Sequence, residues 1–103
     1  MIARYRVEYS PKAYSELVEI YAYIAQDSVN HAVGMIERIL KKIDGLDTFP
    51  HRHVVQDQSG RLDHPVRSLP VNPYIVFFRV VERDAVVRIL RIRHGARRPL
   101  KRF

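Results

Sequence analysis

The sequence contains no cysteine, so neither a disulfide framework nor a thiolate metal site can form. A chain without cysteine fits a reducing compartment, and we expect the protein in the cytoplasm. No stretch approaches the roughly 18 apolar residues of a membrane span, and residues 1–6 have no apolar run resembling a signal peptide. We therefore expect neither a membrane-spanning nor a secreted protein.

Acidic residues are scarce in the second half of the chain. Residues 1–50 contain six Lys or Arg and seven Asp or Glu, a net charge of −1, whereas residues 51–103 contain twelve and four, a net charge of +8. From Arg88 onward there are seven basic residues and no acidic one. This asymmetry indicates an acidic partner: nucleic acid, an anionic membrane surface or an acidic protein. The alternative is that the charge only keeps the protein from aggregating.

The first half of the chain predicts one strand and two helices. Tyr5, Val7 and Tyr9 alternate with charged residues, which is typical of a half-buried strand. Ser10 and Pro11 then provide a helix start. Apolar residues spaced four, three and four apart predict helices over residues 11–26 and about 30–46. The connection between them is short enough to require an antiparallel hairpin.

The second half predicts an antiparallel meander of three strands, over residues 65–69, 74–81 and 85–93. Pro70 should end the first of them, and a short strand over residues 53–55 is possible. We expect the N-terminal strand to lie beside the last one, on grounds of topology. The 103 residues should therefore form a single α+β domain, with the two-helix hairpin packed on an antiparallel sheet. Residues 95–103 would be a basic C-terminal tail.

Arginines on the predicted sheet are the first candidates for a functional surface. Arg79 marks its strand face as one that the helices do not wholly cover. In the last strand, strict alternation places Val87, Ile89, Arg91 and Arg93 on one face, which suggests a basic surface. The alternative is that these arginines only lie on the solvent side and cover apolar surface with their stems.

Histidines and exposed aromatic residues are the other candidates. His94 could act as an acid or base, but a hydrogen-bonding role before Gly95 is the alternative that we favour. His51, His53 and His64 could suggest a metal site, yet nothing else supports one, and we predict no metal and no cofactor. Three residues of the first helix could bind a partner helix in a groove or merely cover the core: Tyr14, Val18 and Tyr21.

Taken in order, four short patterns resemble the ParE branch of the RelE/ParE toxin superfamily. They are Tyr14 to Ala25 with Leu17, Ile20 and Tyr23-Ile-Ala; Arg67-Ser-Leu69; Tyr74-Ile-Val-Phe-Phe-Arg-Val; and Ile89-Leu-Arg-Ile-Arg-His94-Gly95 with Arg97-Arg98. The resemblance covers nearly the whole chain, although no single pattern is diagnostic. It implies a helical hairpin on an antiparallel sheet. It also implies the toxin of a two-component toxin–antitoxin pair, neutralised by a ParD-like antitoxin in a hetero-oligomer.

The superfamily contains two activities, and the residues of this chain can be compared with the pattern of each. RelE-like members cleave mRNA on the ribosome, which requires a proton acceptor, a proton donor and cations. Their pattern has lysines on the strand before the turn and an arginine after the next strand's opening tyrosine, where this chain has Val66-Arg-Ser68 and Ile75. The resemblance therefore favours the ParE-like activity, inhibition of DNA gyrase by binding. Cleavage and plain nucleic-acid binding remain alternatives.

The resemblance also assigns roles to residues. Target contact would fall to Arg79, Arg91, Arg93, Arg97 and Arg98. Antitoxin contact would fall to Tyr14, Val18, Tyr21, Arg67 and Tyr74. No residue would be catalytic under gyrase inhibition, whereas cleavage would use His94 and Arg97. The antitoxin should be acidic where it meets the basic half, and nucleic acid would be contacted only indirectly, through the antitoxin. We expect no membrane partner.

Overall fold

Two helices pack on one face of a five-stranded sheet in the computed structural model, which describes residues 4–55 and 65–96. The sheet order is β1-β5-β4-β3-β2. In this part of the chain, no helix is both long and apolar enough to cross a membrane. The elements in chain order are β1 (Arg6–Tyr9), α1 (Pro11–Ala25), α2 (Val29–Asp44), β2 (Val54–Val55), β3 (Val66–Val71), β4 (Tyr74–Val81) and β5 (Val86–His94).

Both helices begin at serine caps. The Ser10 hydroxyl accepts a hydrogen bond from the Ala13 N–H at 3.0 Å, and the Ser28 hydroxyl accepts one from the His31 N–H at 3.1 Å. Each bond satisfies a backbone donor that has no partner within the helix. The second helix ends at Asp44 rather than near residue 46, because residues Gly45–Asp47 tighten into a 3₁₀ turn.

The N-terminal strand pairs with the last strand, as predicted, and the pairing is parallel, from Arg6 opposite Val86 to Tyr9 opposite Ile89. The predicted meander of β3, β4 and β5 is confirmed as well. The prediction that Pro70 ends its strand is wrong, because β3 continues to Val71. In the described residues β2 pairs only with Arg67 and Ser68, so Pro70 lies on an edge where the absence of its N–H costs no ladder bond.

The core lies between the helices and one face of the sheet. Alternation in β4 holds as predicted: Tyr74, Val76, Phe78 and Val80 are buried beneath the helices, and the residues between them are half-buried. Their helical partners include Ala13, Leu17, Ile20, Ile39 and Ile43.

Strict alternation fails in β5. Phe78 pairs with Ile89 and Phe77 with Arg91, so the ladder skips Leu90. This β-bulge shifts the phase of the strand by one residue, and both Ile89 and Ile92 then lie on the buried face. The predicted grouping of Val87 and Ile89 with Arg91 and Arg93 is therefore wrong, and Arg88 lies on the outer face with Arg93.

Candidate functional site

An apolar groove lies between the two helices, next to the end of the edge strand β1. We call it the helix groove; it has a volume of about 390 Å³ and is lined by Tyr9, Tyr14, Leu17, Val18, Tyr21, Ile36 and Leu40. The exposed fractions of Tyr14, Val18 and Tyr21 are 64%, 54% and 39%. An exposed, contiguous apolar patch of this kind is a candidate binding surface.

The second helix adds exposed apolar residues that were not among the predicted contacts. Val29 and Val33 are exposed and extend the apolar stripe of Ile36 and Leu40 along α2. The spacing of four, three and four was visible in the sequence and predicts this second stripe. At the other end of the groove, Tyr9 belongs to β1, and burial, followed by the negative charge of Asp44, raises the pKa of Tyr9 to about 12.

Arg67 and Tyr74, the other two predicted antitoxin contacts, do not line the helix groove. Nη1 of Arg67 donates hydrogen bonds to the carbonyl oxygens of His51 and His53, at 2.9 and 2.8 Å. Arg67 therefore fastens the segment before β2 to the sheet. Tyr74 is buried, and its ring meets the ring of His94 edge-on at 5.5 Å. Of the five predicted antitoxin contacts, the structure thus places three together in the helix groove: Tyr14, Val18 and Tyr21.

The sheet face opposite the helices carries Arg79, Arg88 and Arg93, which we call the arginine face. Arg79 on β4 lies directly opposite Arg88 on β5, and Arg93 lies opposite Ile75. Like charges directly opposite each other on a sheet are destabilising. In the described part of the chain, the Nε atoms of Arg79 and Arg93 are buried and have no hydrogen-bond partner. The remaining two predicted target contacts, Arg97 and Arg98, lie outside the described residues.

Glu8 is the one carboxylate that the register places beside these arginines, within the described residues. Its side chain lies 2.9 Å from Arg6 and 3.7 Å from Arg88. It therefore offsets part of the charge of Arg88. Within the described residues, neither Arg79 nor Arg93 forms an ion pair with a carboxylate.

Arg91 does not belong to the arginine face, because its guanidinium group is held by Glu16 of α1. Nε and Nη2 of Arg91 donate to the Glu16 carboxylate at 3.0 and 2.8 Å, and the Ile92 N–H donates to the same carboxylate at 2.9 Å. Glu16 is only 7% exposed. This pairing raises the pKa of Arg91 above its usual value. The contact positions the end of β5, and no local pattern in the sequence indicated it.

His94 lies at the end of β5 with its ring engaged locally. Its Nδ1 accepts a hydrogen bond from the Ala96 N–H at 3.1 Å, as in the hydrogen-bonding role favoured for it. A cleft of about 750 Å³ beside it is also bordered by Glu19, Tyr23 and Arg93. In the described residues, no three His, Asp or Glu side chains converge as metal ligands, and His64 lies outside that part.

A polar cluster joins the residue before β1 to two 3₁₀ turns, Pro50–Arg52 and Glu82–Asp84. The Tyr5 hydroxyl donates to Glu82 at 2.7 Å, and His51 contacts the same carboxylate oxygen. These hydrogen bonds, led by the one from His51, lower the pKa of Glu82, whereas the bond to Glu82 raises the pKa of Tyr5. Burial, and then the nearby Arg52 and Arg67, lower the pKa of His53. None of these residues lines the helix groove, and their contacts hold the three segments together.

The domain therefore presents two candidate binding surfaces, the helix groove and the arginine face. The family model described as the ParE toxin of type II toxin–antitoxin systems, parDE, matches residues 7–99. The chain therefore belongs to the ParE toxin family. A search of curated proteins finds no match.

Solved structures share the fold at low sequence identity. A chain of the chromosomal ParDE TA system from P. aeruginosa has a TM-score of 0.70 and 21% identity, covering 89% of this chain and 97% of that one. A chain of the archaeal RelE–RelB complex from Pyrococcus horikoshii has a TM-score of 0.65 and 19% identity, covering 92% and 99%. A chain of the RelBE2 toxin–antitoxin complex from Mycobacterium tuberculosis has a TM-score of 0.59 and 18% identity, covering 94% and 98%.

Proposed function

We propose that this toxin inhibits DNA gyrase by binding it, blocks DNA replication in that way, and is neutralised by a cognate ParD-like antitoxin. The helix groove is the observation that carries the antitoxin part of the proposal. It presents exposed tyrosines and aliphatic side chains between two antiparallel helices, a surface that takes the apolar face of an amphipathic helix. The similar structures named above come from toxin–antitoxin systems, which supports an antitoxin partner for this chain.

The composition of the arginine face favours binding over RNA cleavage. Attack by a ribose 2′-OH requires a proton acceptor and a proton donor near the cations that stabilise the phosphorane. In the described residues, the register places no histidine, lysine or tyrosine on this face, and its one carboxylate, Glu8, is held by Arg6 and Arg88. The face therefore supplies cations without an acid–base pair.

One observation keeps cleavage as a second candidate. The cleft beside His94 brings an imidazole near Glu19 and Arg93, and a chain of the RelE–RelB complex shares the fold. Under this alternative, His94 and Arg97 would act on mRNA bound to the ribosome. A direct comparison of gyrase and ribosome assays separates the two activities.

The antitoxin part is tested by two matched substitutions on α1. Tyr14→Glu places a charge in the helix groove, whereas Tyr23→Glu places the same charge on an equally exposed tyrosine, 72% exposed, outside the groove. Coexpression with the protein encoded by the adjacent small reading frame, followed by calorimetry, gives the affinity of each variant. We expect Tyr14→Glu to weaken binding at least about 30-fold, since buried tyrosines at interfaces contribute about 2 kcal/mol or more.

The Tyr23→Glu variant should bind as tightly as the wild type. Equal losses in the two variants, or none in either, would place the antitoxin elsewhere on the toxin. Absence of any adjacent antitoxin reading frame would also count against the proposal.

A further inference from the structure

Phe49 lies in the left-handed region of backbone conformations, with φ 49° and ψ 48°. Glycine and asparagine adopt this conformation readily, whereas a bulky side chain is strained in it. In the described residues, Ala85 is the other residue with a positive φ that is not glycine, and its side chain is a single methyl group. An asparagine would make the turn at Phe49 with less strain, so local backbone preference does not explain the phenylalanine.

Contacts on both sides of Phe49 hold it in this conformation. Pro50 is fully buried, and the Asp47 carbonyl accepts a hydrogen bond from the Tyr5 N–H at 2.8 Å. The Phe49 carbonyl accepts one from the Arg52 N–H at 3.3 Å, which closes a 3₁₀ turn. A strained residue persists only where the surrounding structure over-determines it, and such residues cluster at functional sites.

The fold makes little use of the Phe49 side chain. It is 59% exposed, it does not belong to the hydrophobic core cluster, and it does not line the helix groove. Arg52, at the other end of the turn, is also exposed, and within the described part of the chain it forms no ion pair. Aromatic residues and arginine are enriched at the centres of protein interfaces. A rigid turn that presents both of them loses little conformational freedom on binding.

We propose that Phe49 and Arg52 anchor the toxin on its protein target, with the ring in an apolar pocket and the guanidinium group on a carboxylate beside that pocket. Arg52 has no carboxylate partner in the described residues, so the target supplies one. Asp47 lies two residues before Phe49, and Glu82 contacts His51 within the turn, so both carboxylates oppose a phosphate backbone. Single-stranded nucleic acid also binds on several aromatic platforms along a basic groove. The turn therefore fits a protein better than a nucleic acid.

The inference rests on the proposed function in one respect, since it takes the target of the toxin to be a protein such as gyrase. It is separate from antitoxin binding, because neither Phe49 nor Arg52 lines the helix groove.

The variant Phe49→Asn removes the ring and introduces a residue that suits the left-handed backbone. We expect its melting temperature to equal or exceed that of the wild type, and its affinity for the antitoxin in calorimetry to be unchanged. Binding to immobilised gyrase and inhibition of supercoiling should each weaken roughly ten-fold or more, as for the anchor of an interface. Unchanged binding to gyrase, a loss of antitoxin affinity, or a melting temperature lower by more than about 4 °C would each overturn the inference.

Matched variants separate the anchor from general loss of aromatic surface or charge. Tyr23→Asn removes a ring that is 72% exposed on α1 and should bind gyrase as the wild type does. Arg52→Gln should weaken binding roughly ten-fold, because it removes a charge-assisted hydrogen bond. Lys12→Gln removes an exposed positive charge from α1 and should leave binding unchanged. Equal losses in the control variants contradict a specific anchor.

The same variants distinguish failure of this inference from failure of the proposed function. If the wild-type toxin stops translation and neither binds nor inhibits gyrase, the proposed function fails, and binding of the variants to purified ribosomes decides the inference instead. Binding of Phe49→Asn as tightly as the wild type would then overturn it. Binding of an oligothymidylate that is lost in Phe49→Asn would assign the turn to nucleic acid and overturn it as well.

Discussion

Replacing Glu16 with alanine should destabilise the protein more than any surface ion pair can. The Glu16 carboxylate accepts hydrogen bonds from Arg91 and from the backbone N–H of Ile92, and it is almost fully buried. Removal of one partner of a buried ion pair lowers the free energy of unfolding by about 3–5 kcal/mol, because the other charge stays buried without a partner. The Arg91 side chain is 19% exposed and can recover some hydration, so we expect about 3 kcal/mol.

The magnitude is measured by urea denaturation, with two further variants as references. Asp47→Ala removes the exposed ion pair with Arg4 and should cost less than about 1 kcal/mol. The double variant Glu16→Ala, Arg91→Ala leaves no unpaired charge. Its loss of free energy of unfolding should therefore be smaller than the sum of the losses in the two single variants. If Glu16→Ala cost no more than Asp47→Ala, the contact would not position β5.

Three other predictions concern pH and the C-terminal tail. Because the folded-state pKa of Tyr9 is raised to about 12, its contribution of about 1 kcal/mol, after allowance for its half-exposed ring, is present below pH ~10 and lost as the pH rises through the folded pKa. Tyr9→Phe should not show this alkaline loss of free energy of unfolding. The lowered pKa of Glu82 predicts stability that is present above the ordinary carboxyl pKa and lost as the pH falls through the folded one; acid titration of Glu82→Gln should lack that loss. Deletion of residues 97–103 should abolish growth inhibition while leaving the thermal melt unchanged, and undiminished toxicity would move the active surface elsewhere.

Local patterns in the sequence were sufficient to predict the order and approximate bounds of the helices and main strands. Capping, periodicity and topology predict the helix start at Ser10, the alternation of β4 and the pairing of β1 with β5, and the structure confirms all three. The resemblance to the toxin superfamily is confirmed by the match over residues 7–99.

Two features could not be predicted because they depend on contacts between distant residues. The bulge at Leu90 changes which arginines share a face, and it is visible only once β4 and β5 are aligned. Glu16 and Arg91 are far apart in the chain, and each has the ordinary appearance of a solvated charge. The arginine face therefore comprises Arg79, Arg88 and Arg93, whereas the Arg91 side chain is paired with Glu16. Target contact stays a prediction for all the residues named for it, including Arg97 and Arg98 outside the described residues.

The most direct test of the proposed function compares DNA supercoiling by purified gyrase with translation by purified ribosomes, each with increasing amounts of this toxin. We predict that supercoiling is lost while translation and the mRNA remain intact, and that the antitoxin restores supercoiling. Loss of translation through mRNA cleavage, with gyrase unaffected, would contradict the proposal and establish the ribosome-dependent alternative.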